Sequence, residues 1–216
     1  MHEVWTANGN VFAVRLDDSS SRETKQETTL SICNENLFLD GVLFLCPDQK
    51  TMEIFDRDGT YEDMCGNGLR VAATIIRGLA SEELTSIETG NGPKKVLLHP
   101  SGVEVEITRD VDTSKAIMNI AGVPHIVVPK ILPHEEAKKL RTSTGANVTC
   151  FSKDNLFYRT FEIGVERFTQ SCGTGAVAIA ARLGLNDLNL NTPSGILRVR
   201  KCEGAFYLSG KVEKLR

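Results

Sequence analysis

Short apolar runs rich in β-branched and aromatic residues, separated by polar turn residues, punctuate the first half of the chain. Asn10–Leu16, Asn36–Leu39, Gly41–Leu45 and Thr51–Phe55 read as strands, with Arg57-Asp-Gly59 as a turn before another short strand. The pattern then changes to a helical one that starts at a glycine-rich turn and is predicted to run to about Ala80. Beyond a loop at Asn91-Gly-Pro93, Lys94–Leu98 and Val103–Ile107 predict a hairpin around Pro100-Ser-Gly102. Alternation in its second strand predicts one wet face.

The second half repeats this order. Ile117–Ile120 and His125–Val128 read as strands and Pro133–Leu140 as a helix. Val148–Ser152 and Phe157–Phe161 form a hairpin across Lys153-Asp-Asn155. A second glycine turn opens a helix over Ala176–Leu183, and Thr192-Pro-Ser-Gly195 leads into the strand Ile196–Arg200. A Cys-Gly-x-Gly turn with its helix, then Pro-Ser-Gly with its strand, thus occur twice in the same order. The repetition predicts two like-folded halves, 1–112 and 113–216, with the last strand free to return to the first half. Strands surround a helix in each, which favours an α+β class over alternating βαβ units.

Composition narrows the function. The 216 residues are 41% hydrophobic and 25% charged, ordinary for a globular protein. A net charge of −3 and a pI near 5.9, with no basic cluster, argue against nucleic acid as a partner. No run approaches a membrane span, and the first residues lack the pattern of a secretory signal, so a cytoplasmic protein is expected. The six cysteines form no Cys-x-x-Cys pair and no zinc spacing, so no metal site is predicted. Cys33, Cys46, Cys150 and Cys202 read as small hydrophobes.

Cys65 in "CGNG" and Cys172 in "CGTG" differ from the rest, because each stands where a helix begins. A helix start offers unpaired N–H groups and about half a positive charge, and glycine lets an anion approach the backbone. Each turn can therefore hold a carboxylate or phosphate. The same field favours thiolate over thiol and can bring a cysteine below its free pKa of about 8.5. Asn67 and Thr174 can add a side-chain hydrogen bond to either. If the halves pack with pseudo-twofold symmetry, one thiol can remove a proton from a carbon while the other delivers one to its opposite face. The plain alternative is a helix-start turn with an incidental cysteine, which the matched pair of motifs makes less economical than either motif alone would.

These residues resemble the diaminopimelate epimerases, within the wider proline-racemase-type group of cofactor-independent epimerases. Gly9-Asn-Val-Phe12 is similar to the family's GNDF, and Phe55–Gly59 with Met64–Gly68 to its F-N-x-D-G…CGNG. Gly122-Val-Pro-His125 is similar to its G-[NV]-P-H, and Ala146-Asn-Val148 to its hairpin-start asparagine. Glu162–Glu166 with Cys172–Gly175 is similar to its ERGVE…CGTG. The chain is shorter than is usual for the family. The resemblance implies two similar domains, each a sheet wrapped around a central helix, with the active site between them. It implies Cys65 and Cys172 as the acid–base pair, with the N–H groups of Gly66, Asn67, Gly173 and Thr174 on the substrate α-carboxylate. It puts Glu162 on the α-ammonium, Asn10 and Asn147 in the pocket and His125 near it. It further implies a homodimer acting on a small-molecule amino-acid substrate without pyridoxal phosphate or metal.

The chain departs from the family where the distal end of the substrate would bind. The arginine of ERG is Ile163, the asparagine of F-N-x-D-G is Asp56, and the middle of G-N-P-H is Val123. Losing an arginine removes a bidentate carboxylate partner, and gaining an aspartate favours a cation. The expected substrate therefore has a cationic or neutral distal end, as in lysine, ornithine or histidine. Arg167, four residues on, is the feature that keeps diaminopimelate itself in play. Further alternatives are a phenazine-type isomerisation, which both cysteines argue against, a carboxylate-binding protein, and a thiol peroxidase lacking a nearby resolving cysteine.

Overall fold

The computed structural model describes residues 2–16, 20–79, 83–100 and 102–215. In chain order the elements are β1 (Glu3–Ala7), β2 (Asn10–Leu16), α1 (Arg22–Glu35), β3 (Gly41–Cys46), β4 (Thr51–Asp56), β5 (Tyr61–Glu62), α2 (Gly66–Leu79), β6 (Ser86–Thr89), β7 (Gly92–His99) and β8 (Gly102–Arg109). They continue with β9 (Ile117–Ile120), β10 (Val123–Val128), α3 (His134–Thr144), β11 (Asn147–Phe151), β12 (Tyr158–Phe161), α4 (Gly173–Leu183), β13 (Asp187–Thr192), β14 (Gly195–Cys202), β15 (Ala205–Gly210) and β16 (Val212–Lys214). Ala80, where the first helix was expected to end, and Ser101, in the expected hairpin turn, lie outside the described residues.

The chain divides into two compact units, Met1–Val105 with Val212–Arg216, and Glu106–Lys211. The sheet of the first runs β7–β6–β4–β3–β2–β1–β16, with the first residues of β8 on β7 and β5 on β4. Its pairs are antiparallel except β2 with β3 and β4 with β6. The second unit holds the four-stranded sheet β12–β11–β10–β9 and the meander β13–β14–β15, beside which β8 ends. The class is α+β, as expected.

Both units share one internal order. An antiparallel pair leads through a helix to a parallel strand (β1–β2–α1–β3 and β9–β10–α3–β11). An antiparallel strand, a buried helix and a hairpin pair follow (β4–α2–β6–β7–β8 and β12–α4–β13–β14–β15). The first unit therefore contains two helical crossovers between parallel strands, β2 to β3 through α1 and β4 to β6 through α2. The second unit has one, from β10 to β11 through α3. Such a crossover is the connection a parallel pair requires. Gly102 and Gly195, the last residues of the two Pro-Ser-Gly stretches, each open the second strand of an antiparallel pair.

Helix α1 is a correction to the sequence reading, which saw no helix there and a strand at Asn36–Leu39. Ser21 caps α1, its Oγ accepting from the Thr24 N–H at 3.3 Å, and Asn36 ends it. The buried positions are Lys25, Thr29, Ile32 and Cys33, a helical stripe half made of polar residues. Period-based reading misses such a stripe. Helices α2 and α4 are the opposite case. α2 is buried along Gly66–Ala73 and again at Ile75 and Ile76, and α4 along Gly175–Ala181, so each is a core helix wrapped by strands.

Candidate functional site

In the first unit the expected residues gather at one end of the sheet. Asn10 begins β2 and Asp56 ends β4. The register Phe12↔Gly41↔Asp56 puts these ends together. Between β1 and β2 the two residues Asn8 and Gly9 have positive φ, 44° and 86°, as a tight hairpin turn demands. Gly66 and Asn67 open α2 directly after Cys65, which is half-buried. The Gly68 N–H points at the Cys65 sulfur, 3.4 Å away.

A directed hydrogen-bond chain runs beneath this turn. Arg70 is fully buried; its Nη1 donates to Asn8 Oδ1 (3.0 Å) and its Nη2 to Asn67 Oδ1 (2.6 Å). With its oxygen taken, Asn67 donates through Nδ2 to Asn10 Oδ1. Asn10 Nδ2 in turn donates to Asp40 Oδ2 (3.4 Å), which also accepts from the Val11 N–H (2.8 Å). A guanidinium only donates and a carboxylate only accepts, so the two ends fix both amide orientations. Asp56 uses its backbone to close the 56–60 turn, its N–H donating to Thr60 O and its O accepting from Gly59 N–H (both 2.8 Å).

In the second unit β11 is a strand buried on both faces whose faces differ in chemistry. Val148 and Cys150 join the apolar cluster with Leu132, Ala137 and Phe161. By strand alternation Asn147 and Thr149 occupy the other face, and their neighbours His125 on β10 and Thr160 on β12 lie level with them. Cys172 precedes α4, with Gly173 and Thr174 as the first helical residues. Tyr158 clamps this turn: its hydroxyl donates to Cys172 O (2.8 Å) and accepts from the Cys172 N–H (3.3 Å).

Cys172 is only 6% exposed, and burial pushes its thiol well above the ordinary value. The Glu162 carboxylate pushes the same way, while Thr174, the Gly175 N–H and Thr160 oppose it. The helix-start field was expected to favour thiolate here. Desolvation of a sulfur shut away from water outweighs it, so Cys172 rests as the thiol. His125 has no exposed surface; its ring nitrogens meet Thr149 Oγ1 (3.0 Å) and Thr174 Oγ1 (2.9 Å). Burial lowers its pKa to about 3, so the imidazole is neutral.

Asn147 Oδ1 accepts from the Ile163 N–H (2.8 Å). Glu162 follows β12 and accepts from the Thr169 hydroxyl. The loop from 162 to 167 is drawn tight by Glu166 N–H on Glu162 O (2.8 Å) and Glu162 N–H on Arg167 O (3.2 Å), which sets Arg167 across from Glu162. The Ile163 side chain is 41% exposed. The structure thus groups Asn10, Asp56, Cys65, Gly66 and Asn67 in one unit, and His125, Asn147, Glu162, Cys172, Gly173 and Thr174 in the other.

Sequence reasoning missed Arg70, Asn8 and Asp40 in the first unit and Thr149, Tyr158 and Thr160 in the second. A lone arginine inside the apolar run LRVAATII was one available signal. The others were polar residues at every second position, Asn147-x-Thr149 and Tyr158-x-Thr160-x-Glu162.

Comparison with known proteins agrees with the resemblance. The family pattern described as diaminopimelate epimerase matches residues 3–118. The chain is 30% identical to the diaminopimelate epimerase of Thermotoga maritima, over 97% of this chain and 98% of that one. It is 35% identical to that of Methanothrix thermoacetophila, over 94% and 89%. Among solved structures, a phenazine biosynthesis protein of the PhzF family from Enterococcus faecalis superposes with a TM-score of 0.73 over 100% of this chain and 96% of that one, at 18% identity. At that identity the likeness concerns the fold alone.

Proposed function

We propose, from the premise that the chain belongs to the diaminopimelate epimerase family, that it is an isomerase inverting the α-carbon of an amino acid by proton exchange with Cys65 and Cys172. One observation carries this reading: in both units the cysteine immediately precedes a buried helix, beside N–H groups that nothing in the helix can satisfy. In the reaction, one sulfur as thiolate takes the Cα proton, forming S–H. The electron pair left on Cα spreads into the α-carboxylate, where the N–H groups of Gly66, Asn67, Gly173 and Thr174 stabilise it. The other thiol gives its proton to the opposite face of Cα, and its S–H bond breaks. The thiols end with exchanged protonation states, and Cys172, resting as the thiol, begins as the proton donor. Glu162 pairs with the α-ammonium, and Asn10 and Asn147 line the pocket.

The departures at Ile163 and Asp56 favour a substrate with a cationic or neutral distal end, such as lysine, ornithine or histidine. A second reading, diaminopimelate itself, is favoured by the position of Arg167 across the loop from Glu162, the chain neighbour of Ile163. Family resemblance makes the working form a homodimer, and thiols that must stay reduced suit the cytoplasm. No helix among the described residues is long and apolar enough to cross a membrane.

Deuterium wash-in from D2O across an amino-acid panel tests both parts. Exchange at Cα is expected with basic amino acids and lost in Cys65→Ser and Cys172→Ser. Rapid exchange with meso-diaminopimelate and none with basic amino acids overturns the substrate assignment. Exchange that survives both serine variants overturns the mechanism.

A further inference from the structure

The loop 162–167 that follows β12 is held by side chains as well as by its own backbone. Asn147 Oδ1 takes the Ile163 N–H (2.8 Å), and Glu166 Oε1 accepts from the Gly164 N–H (3.2 Å). The same Glu166 oxygen receives Nη2 of Arg141 on α3. Arg141 stands in the last turn of α3, where a helix end favours a cation, and α3 packs on β11 and β12. The Arg141 side chain is 23% exposed against 42% for Glu166, so water screens this pair less than an open surface pair. Helix α3 is thus the fixed point to which Glu166 ties the loop.

Backbone strain marks the same residue. Gly164 and Glu166 both have positive φ, 81° and 55°, and at Glu166 that conformation carries a steric penalty that glycine escapes. A side chain persists in such a conformation where its surroundings over-determine it. At Glu166 they do. Its N–H donates to Glu162 O (2.8 Å), and its carboxylate reaches back two residues to Gly164 and across to Arg141. A glycine at 166 would relax the backbone and lose both contacts of the carboxylate.

We propose that Glu166 is a positioning residue: anchored by Arg141, it fixes the loop that sets Glu162 against the α-ammonium, and does not itself touch substrate. The proposal rests on reading Glu162 as the partner of that ammonium. Glu162 is gripped by the loop at both backbone groups, its N–H donating to Arg167 O (3.2 Å) and its O accepting from Glu166. The direction in which its carboxylate leaves the chain therefore follows the shape of the loop. Without the Glu166 carboxylate, Gly164 loses its acceptor, α3 is unhooked, and the turn over 162–167 loosens as a unit. The ammonium keeps its charge while Cα inverts, so its contact serves ground state and transition state alike. Loosening that contact raises KM and leaves kcat in place.

Two measurements on the full-length chain test it. Glu166→Ala removes both carboxylate contacts, and Glu166→Gln keeps an oxygen for Gly164 and Arg141. Alanine and glutamine bear a positive φ no better than glutamate does, so the comparison reads the carboxylate and not the strain. By amide hydrogen exchange, Glu166→Ala is expected to speed exchange about tenfold at Gly164, and equally at Ile163 and Glu162, whose N–H groups Glu166 does not touch. Arg141→Met is expected to do the same, Glu166→Gln to restore most of the protection, and the amides of β11 to stay unchanged. Faster exchange at Gly164 alone, or an equal rise throughout the chain, overturns the proposal. Deuterium wash-in at Cα, with L-lysine as the probe and meso-diaminopimelate if lysine is not taken, reads the second effect. Glu166→Ala is expected to raise KM about tenfold with kcat within about twofold of wild type. An unchanged KM overturns the positioning role. A wild-type chain that exchanges neither probe defeats the proposed function, and amide exchange then decides by itself whether Glu166 holds the loop.

Discussion

The two helix starts carry the same Cys-Gly-x-Gly motif over different foundations. Beneath Cys65 the hydrogen bonds run one way, from Arg70 through Asn67 and Asn10 to Asp40. Beneath Cys172 they run from the thiol through Thr174, His125 and Thr149 to Thr160, all groups that can both give and receive. A chain pinned by a cation at one end and an anion at the other cannot reverse without breaking. A neutral one can. The first foundation therefore holds a geometry, and the second can follow a change of charge. A pair of like motifs need not imply a pair of like thiols, because the residues that differ lie below the motif.

The largest expected effect breaks the first foundation. Arg70→Leu leaves the oxygens of Asn8 and Asn67 buried without this donor, and a loss of about 3 kcal/mol in urea unfolding is expected. A loss below about 1 kcal/mol would mean that the amides simply turn over and the chain has no fixed direction. Next comes a matched pair of glycines. A Cβ at 175 meets the hydroxyl of a buried β-branched residue at 2.5 Å, whereas one at 68 meets a terminal methyl of Leu43 at 3.0 Å. Gly175→Ala should cost about 2 kcal/mol and Gly68→Ala distinctly less, by thermal melting. Equal costs would erase the distinction between a rigid pair of threonine hydroxyls and an adaptable apolar neighbour.

The effect that builds most gradually is in the pH dependence. His125 titrates near 3 in the folded chain and near 6.5 when unfolded. The unfolded chain thus takes up the proton first, and stability falls as pH drops from about 6.5 toward 3, by about 1.4 kcal/mol per unit. In His125→Gln the acid side of the stability curve should flatten by one proton's slope. A curve with the wild-type slope in that window would show that the hydroxyls beside His125 already accommodate imidazolium.

Much of this molecule could be read from its sequence, and the exceptions share a cause. Both glycine turns, their helices and the hairpins that follow were legible because apolar periodicity and turn residues agree there. Helix α1 was not, because Lys25 and Thr29 fill half of its buried stripe. The Asn8-Gly9 dipeptide is a turn signal that went unread, and its role as the seat of an arginine contact had no local signal at all. Thr149 and Thr160 went unnoticed for a related reason: a threonine in a strand looks like ordinary β-propensity, and only cross-strand register reveals that two of them face one another. Sequence locates groups whose chemistry is local. It hides those whose chemistry depends on what stands opposite.

The backbone of Ile163 is tied down by Asn147 while its side chain faces outward. Such a position can be exchanged by mutation at little cost to the surrounding framework. The loop that bears it is tethered through main-chain atoms, so side-chain identity can drift there over generations while the tether persists. A lineage could in this way acquire a new preference for what it processes by changing a few outward-facing side chains, and keep its inherited chemistry throughout.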